Sequence, residues 1–192
     1  MVILGAGGTG DIYRDNGTNL FESDSVNTGF EFLPEAFAIG DTGPGGGIVF
    51  SVSADGMSGL EAAPVDQTPA PWCNSFTDIS GVVNLQATTP DPNSGADNTP
   101  LIIEVCGESS AAGVAADYEW PNGQTDGFLP NIEEFDLLFD QRTVVGGFVS
   151  GGYWSSSEAD VNRALAQLFF GGNQFSNDKV GNTFRVRAVR AF

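Results

Sequence analysis

The residues whose types could do chemistry are few. Ser155-Ser156-Ser157-Glu158 places three hydroxyls beside a carboxylate. A serine nucleophile needs a base to take its proton. The chain has no His, and no Lys or glycine elbow flanks these serines in sequence, so nothing local activates a hydroxyl. Glu133, Glu134 and Asp136 offer the paired carboxylates of glycoside hydrolysis, but they read better as the solvated face of a helix. Asp91, Asn93, Asp97 and Asn98 present loop oxygens of the kind calcium accepts. Their spacing completes no EF-hand, and an Asx-rich turn is the simpler reading. Gly43-Pro-Gly-Gly-Gly47 lacks the Lys-Ser/Thr of a phosphate loop and precedes a strand instead of following one. It reads as a tight turn into a core strand. Cys73 and Cys106, the only thiols, are too few for a structural zinc site and too far apart for a redox CxxC. A disulfide pinning a long loop onto a helix is preferred over two buried thiols. The expectation is a protein that is not an enzyme and holds no metal, with calcium the one cofactor entertained.

Composition narrows the class further. The chain has 192 residues, 41% hydrophobic and 17% charged, enough apolar content for a real core in one domain plus an appendage. Its net charge is −18. Residues 1–141 carry −21, with Arg14 their one basic residue, and residues 142–192 carry +3. A body this acidic is repelled by phosphate backbones and anionic lipid, so neither nucleic acid nor a membrane surface is an expected partner. No run approaches a membrane-spanning length. The N-terminus lacks the basic start and apolar stretch of a signal peptide. The expectation is a protein that leaves the cell another way, such as within a virion, or a boundary cut from a longer chain.

The elements that must position these residues divide the chain near Phe37. Residues 1–36 mix Gly, Asn, Asp and Ser with short apolar patches, Val2–Leu4, Leu20-Phe21 and Phe30–Leu33, and show no helical period. They read as short strands or an extended arm for attachment or oligomerisation, or as a floppy leader. Residues 37–192 read as the compact domain. Ile48–Val52 is β-rich, and Gly59-Leu60 leads into Glu61-Ala-Ala-Pro64. Residues 65–98, with Pro69, Pro71, Pro90 and Pro92, read as loop. Thr99 is the expected cap of a helix with Pro100 in its first position, running to Val105. A second helix covers Ser110–Tyr118. The clearest is capped by Asn131, with Glu133 and Glu134 at its positive end and an apolar stripe of Phe135, Leu138 and Phe139. Strands follow at Phe148–Ser156, Ala164–Phe170 and Phe184–Phe192. Helices followed by a β-rich half imply an α+β fold.

Six separated phrases, in order, then carry a resemblance. They are Gly40-Asp-Thr-Gly-Pro-Gly-Gly-Gly-Ile-Val-Phe50, Gly59-Leu-Glu-Ala-Ala-Pro64, Pro71-Trp-Cys73, Thr125-Asp-Gly-Phe-Leu-Pro130, Tyr153-Trp-Ser-Ser-Ser-Glu158 and Phe184-Arg-Val-Arg-Ala-Val-Arg-Ala-Phe192. From about residue 37 onward the chain resembles the bacterial and phage domain at the C-terminus of the Legionella collagen-like adhesin, and the variable proteins of diversity-generating retroelements. The resemblance implies a C-type lectin-like fold with two or three helices and a mostly antiparallel sheet, and a binding module in place of a catalyst. It implies termini that approach each other, with Ile48–Val52 and Phe184–Phe192 as suitable partners, and Trp154 as a core anchor. Formylglycine-generating enzymes share that fold but need catalytic cysteines. Here Cys73 and Cys106 sit where the adhesin-like family has a paired bridge, so that activity is not carried over.

The same resemblance implies a diversified stretch between the Tyr-Trp-Ser-Ser phrase and the C-terminal phrase, struck at adenines and so at Asn codons. Asn162, Asn173, Asn177 and Asn182 lie there. The candidate ligand-binding residues are Ala159, Val161, Arg163, Leu165, Leu168, Phe170, Phe175, Ser176, Asp178 and Val180. Alternation puts Ala164, Ala166, Leu168 and Phe170 on one face and Leu165, Gln167 and Phe169 on the other. Which face is buried stays open, but either outward face carries a large apolar side chain, as a protein-binding hot spot needs. The competing reading is core or subunit interface. Arg185, Arg187 and Arg190 are taken as supports of the fold over a strip for glycan or sulfate. The functional expectation is a non-catalytic, diversified receptor-binding or adhesion protein, extracellular or on a virion surface. It would bind a protein or glycan on a host or target cell and join a homo-oligomer or virion partner through residues 1–36. The alternative is a fixed adhesin-type lectin.

Overall fold

A computed structural model describes residues 36–85 and 90–192, together with the backbone of three strands nearer the N-terminus. Those strands, β1 (Ile12–Asp15), β2 (Asn19–Ser23) and β3 (Phe30–Pro34), form an antiparallel meander in the order β1-β2-β3. The patches Leu20-Phe21 and Phe30–Leu33 fall in β2 and β3; Val2–Leu4 lies outside the described residues.

The remaining chain is α+β. Strands β4 (Ile48–Val52), β5 (Gly59–Ala62) and β6 (Gln67–Pro71) precede helices α1 (Gly95–Cys106), α2 (Ala111–Ala116), α3 (Ile132–Asp140) and α4 (Arg142–Val145). Strands β7 (Gly152–Glu158), β8 (Arg163–Leu168), β9 (Gln174–Asp178), β10 (Thr183–Val186) and β11 (Val189–Ala191) follow. One sheet has the order β6-β10-β7-β8-β9 and the other β11-β5-β4. All pairings are antiparallel except β10 with β7. No helix among the described residues is long and apolar enough to cross a membrane.

The α3 reading holds in detail. Asn131 accepts from the Glu134 amide and the Glu134 carboxylate accepts from the Asn131 amide, a complete capping box. Phe135 and Leu138 are buried and Phe139 is half-buried. Helix α1 departs from expectation. Its cap is Ser94, closed by Asp97, so Thr99 and Pro100 lie inside the helix. The Ser-x-x-Asp box takes the helix start because Asn98 and Thr99 are needed in the interior. The Thr99 hydroxyl accepts from the Leu129 amide at 3.0 Å. Part of the supposed loop 65–98 is β6, whose Pro69 and Pro71 are accepted because β6 lies at the edge of its sheet.

The C-terminal phrase is two strands, not one. β10 joins the five-stranded sheet and β11 the three-stranded one, with Arg187-Ala188 between them. The break falls where the Arg187 side chain is anchored. It donates to the carbonyls of Ala63 and Gly147 at 2.9 Å each and pairs with Asp66, while the Ala188 amide is taken by the Gln67 side chain. The Ala188 amide thus leaves the β10 ladder, while the Ala188 carbonyl already accepts from the Ala63 amide at 2.9 Å, next to the end of β5. Strand β11 consequently pairs with β5, not β4, and all three share one sheet.

Two cores result. Trp72, Trp120, Trp154, Ile102 and the alanines of α2 fill the first, closed by the Cys73–Cys106 disulfide, with Cα atoms 4.9 Å apart. Phe50, Phe128, Phe135, Leu138, Tyr153, Phe169 and Val189 fill the second. The bridge ties the segment after β6 to the end of α1, as expected of a loop pinned onto a helix.

Candidate functional site

The chemistry-bearing residues near the phrases are consumed by the fold. The Gly-rich turn is organised around an internal anion. The Gly45 and Gly47 amides both donate to the buried Glu61 carboxylate at 2.7 Å. A Cβ on Gly43, Gly45 or Gly47 would approach Glu61 atoms within 2.5–2.9 Å, so side chains are excluded there. Glu61 also accepts from Arg190 at 2.6 Å, and Arg190 donates to Asp126 through Nε at 2.7 Å and through its second terminal nitrogen at 2.8 Å. That pairing holds the Asp126 carboxyl below its usual range and raises Arg190. Four of the six phrases thus meet in one network. A second network joins Arg187, Asp66 and Tyr153, whose hydroxyl donates to Asp66 at 2.7 Å. Burial pushes the Tyr153 phenol up to about 12. Trp72 Nε1 donates to the Ser155 carbonyl, and Trp154 Nε1 to the Ala70 carbonyl.

The serines are equally committed. Ser155 Oγ donates to the Leu165 carbonyl at 2.9 Å, and Ser157 Oγ donates to Asp91 at 2.6 Å while accepting from the Ile132 amide. All are fully buried. A lysine does reach this strand through the fold: the Lys179 ammonium pairs with Glu158, both completely buried. It also donates to the Thr77 carbonyl at 2.7 Å and the Val161 carbonyl at 3.3 Å. Lys179 therefore clamps the β7–β8 turn to the segment before Ile79. Sequence distance hid this pair.

The helix carboxylates are not a solvated face. Glu133 accepts from the Asp91 amide at 2.8 Å, and Glu134 accepts from the Gly95 amide at 3.1 Å as well as from Asn131. Burial raises the Glu134 carboxyl, with Asp91 and Glu133 adding to the effect. Only Asp136 is exposed, where it accepts from Gln167 at 2.9 Å. The calcium candidates form a closed hydrogen-bonded turn. Asp91 accepts from the Asn93 amide, the Asn98 side chain and Ser157, and Asn98 Oδ1 accepts from Asn93. Asp97 is held by the α1 cap, which lowers its carboxyl. No cluster of metal-binding side chains occurs among the described residues.

The segment 159–182 behaves differently. Leu85, Ala159, Asp160, Arg163, Leu165, Gln174, Phe175 and Ser176 line a cleft of about 280 Å³. Its construction follows from the β8–β9 register. Arg163 faces Asp178, Leu165 faces Ser176 and Gln167 faces Gln174 across the ladder, so these side chains share one face of the sheet. Asp160 folds the preceding turn by accepting from the Asn162 and Arg163 amides at 2.8 and 3.0 Å.

Of the expected contact residues, Ala159, Arg163, Leu165, Phe175 and Ser176 come together here. Leu165 is buried, against Leu85 and Ile132, and is the floor and not a contact tip. Phe175 is half-buried and stacks edge-on with Phe184 at 5.6 Å. Both faces of β8 prove covered, because Ala164 and Ala166 enter the first core while Leu165 and Gln167 pack toward α3. β8 therefore has no open face, contrary to the outward apolar face expected from its alternation. Val161 and Asp178 are exposed, Leu168 and Val180 half-buried, and Phe170 stands 87% exposed; none of these five lines the cleft. Leu85, Asp160 and Gln174 were missed. Gln174, Ser176 and Asp178 alternate with Phe175 and Asn177, a period-two signal that marks the strand and its polar face.

No protein-family model matches the chain, and no curated protein matches it.

Proposed function

We propose that this chain is a non-catalytic ligand-binding protein of C-type lectin-like design, whose contact face is the cleft between Leu85, β8 and β9. One observation carries the reading. The six phrases are spent on buried networks, whereas the polar side chains of Arg163, Gln174 and Ser176 reach solvent around an apolar floor. That is the division expected between a fixed scaffold and a diversified surface. Support for the lectin-like design comes from the ends of the compact domain. The Phe37 and Phe192 rings meet edge-on at 4.9 Å, and the Gly59 amide donates to the Phe192 carbonyl. The disulfide suits display outside the cell, on a virion or a cell surface. The alternative of a fixed lectin for acidic glycans is weakened, since Arg187 and Arg190 are buried in ion pairs and form no basic strip.

The test is to sequence this gene across one natural population over codons 153–185. The expected outcome is substitution concentrated at Ala159, Arg163, Gln174, Ser176 and Asp178, with Ala164, Ala166 and Lys179 held constant, and a nearby template differing at adenines. If the cleft codons prove as invariant as Tyr153–Glu158, the diversified reading fails.

A further inference from the structure

We infer that the ligand of this cleft is an extended polypeptide segment of a partner protein, neutral or basic, which adds to β9 as a further strand of the five-stranded sheet. The inference rests on the binding reading above and names its partner class.

The hydrogen-bond phase of the ladder carries it. The Leu168 amide donates to the Asn173 carbonyl, and the Lys179 amide to the Asn162 carbonyl. In an antiparallel pair the bonded positions recur every second residue. With the observed register, Asn173, Phe175, Asn177 and Lys179 direct their backbone groups toward β8. Gln174, Ser176 and Asp178 direct theirs outward, because β9 is the edge of its sheet. The Asp178 end is closed by the chain itself. The Asn177 side chain accepts from the Asp178 amide at 2.8 Å, and Asn182 donates to the Asp178 carbonyl at 3.4 Å. Gln174 and Ser176 carry no such cap among the described residues. An edge capped at one end and open at the other is a short template for one more strand.

The cleft lies beside that open stretch. An added strand would set alternate side chains beside Gln174 and Ser176, on the face that also carries Leu165 and Arg163 one strand further in, which gives such docking its specificity. Charge selects the occupant. The chain carries −18, although residues 142–192 carry +3, and at the site Asp160 and Asp178 outnumber Arg163, so a second copy or an acidic segment meets repulsion that a neutral or basic segment does not.

The experiment selects peptides from a random displayed library on the full chain. It then compares each with versions N-methylated at alternate backbone positions. Methylation in one phase should abolish binding and in the other should be tolerated, since a strand bonds its neighbour through every second residue. Ser176→Pro removes an outward amide on an edge strand that accepts Pro, and should weaken binding roughly tenfold more than Ser176→Ala, the share of one lost hydrogen bond. The Gln174 and Ser176 amides should gain protection from exchange. Equal sensitivity to both methylation phases, equal binding by Ser176→Pro and Ser176→Ala, or no enriched peptide would overturn strand addition. So would a dimer of the chain that Ser176→Pro dissociates, which makes a second copy the occupant. Arg163→Ala losing binding without any methylation phase keeps the cleft and removes the strand. Invariant cleft codons in the population remove diversification without touching the peptide result.

Discussion

The network around Glu61 and the cleft beside β9 use the same kinds of residue to opposite ends. Both place an arginine near two carboxylates. Around Glu61, Arg190 is nearly buried and its nitrogens lie 2.6–2.8 Å from their acceptors. At the cleft, Arg163 lies 3.8 Å from Asp160 with more than half its side chain exposed. A buried pair that loses one member strands the other charge without water, whereas an exposed pair contributes little. The first region has therefore fixed its residues for folding, and the second leaves them in contact with solvent.

That contrast can be broken by experiment. Glu61→Ala should be the most damaging change, lowering stability by about 3–5 kcal/mol, because Arg190 and the Gly45 and Gly47 amides lose a buried partner. Denaturant unfolding measures it, and a loss below about 1 kcal/mol would mean the network is not structural. Reducing the Cys73–Cys106 bridge, whose ends are 33 residues apart, should cost about 3–4 kcal/mol on the chain-entropy account. Unfolding curves with and without reductant give the value.

The acid limb provides a smaller effect. Asp126 is held below its ordinary 3.8 first by the hydrogen bond from Arg190. Its contribution is thus present above pH 3.8 and is lost as the pH falls through the lower folded-state value. Asp126→Asn should flatten that limb of the stability–pH curve; an unchanged limb would place the acid sensitivity elsewhere. Smallest of all, Arg163→Ala and Phe170→Ser should shift stability by no more than about 0.5 kcal/mol, as thermal melts can show. A large loss from Arg163→Ala would make the cleft part of the scaffold.

Local signals carried much of the fold. Asn131 and Glu134 spell a helix start, a β-rich run marks β4 and alternation marks β8, whereas β9 is not among the expected strands. Where local signals misled, a distant partner had intervened. Ser94 displaced Thr99 as a cap because Thr99 is wanted by Leu129, 30 residues away. Glu133 looked solvated because the Asp91 amide it holds is 42 residues distant. At the cleft, Arg163, Phe175 and Ser176 were legible, but Leu85 belongs to another part of the chain, and the burial of Leu165 depends on Leu85 and Ile132.

By itself the sequence determined the α+β class, the capping of α3, the acidic body and the absence of any histidine for near-neutral acid–base work. Composition and nearest neighbours are enough for these. Only the tertiary structure decided that the C-terminal phrase serves two sheets, that Lys179 meets Glu158, and that β9 ends its sheet with Gln174 and Ser176 turned outward. Each of these depends on which backbone groups find partners from afar, and burial makes that choice for the whole chain at once.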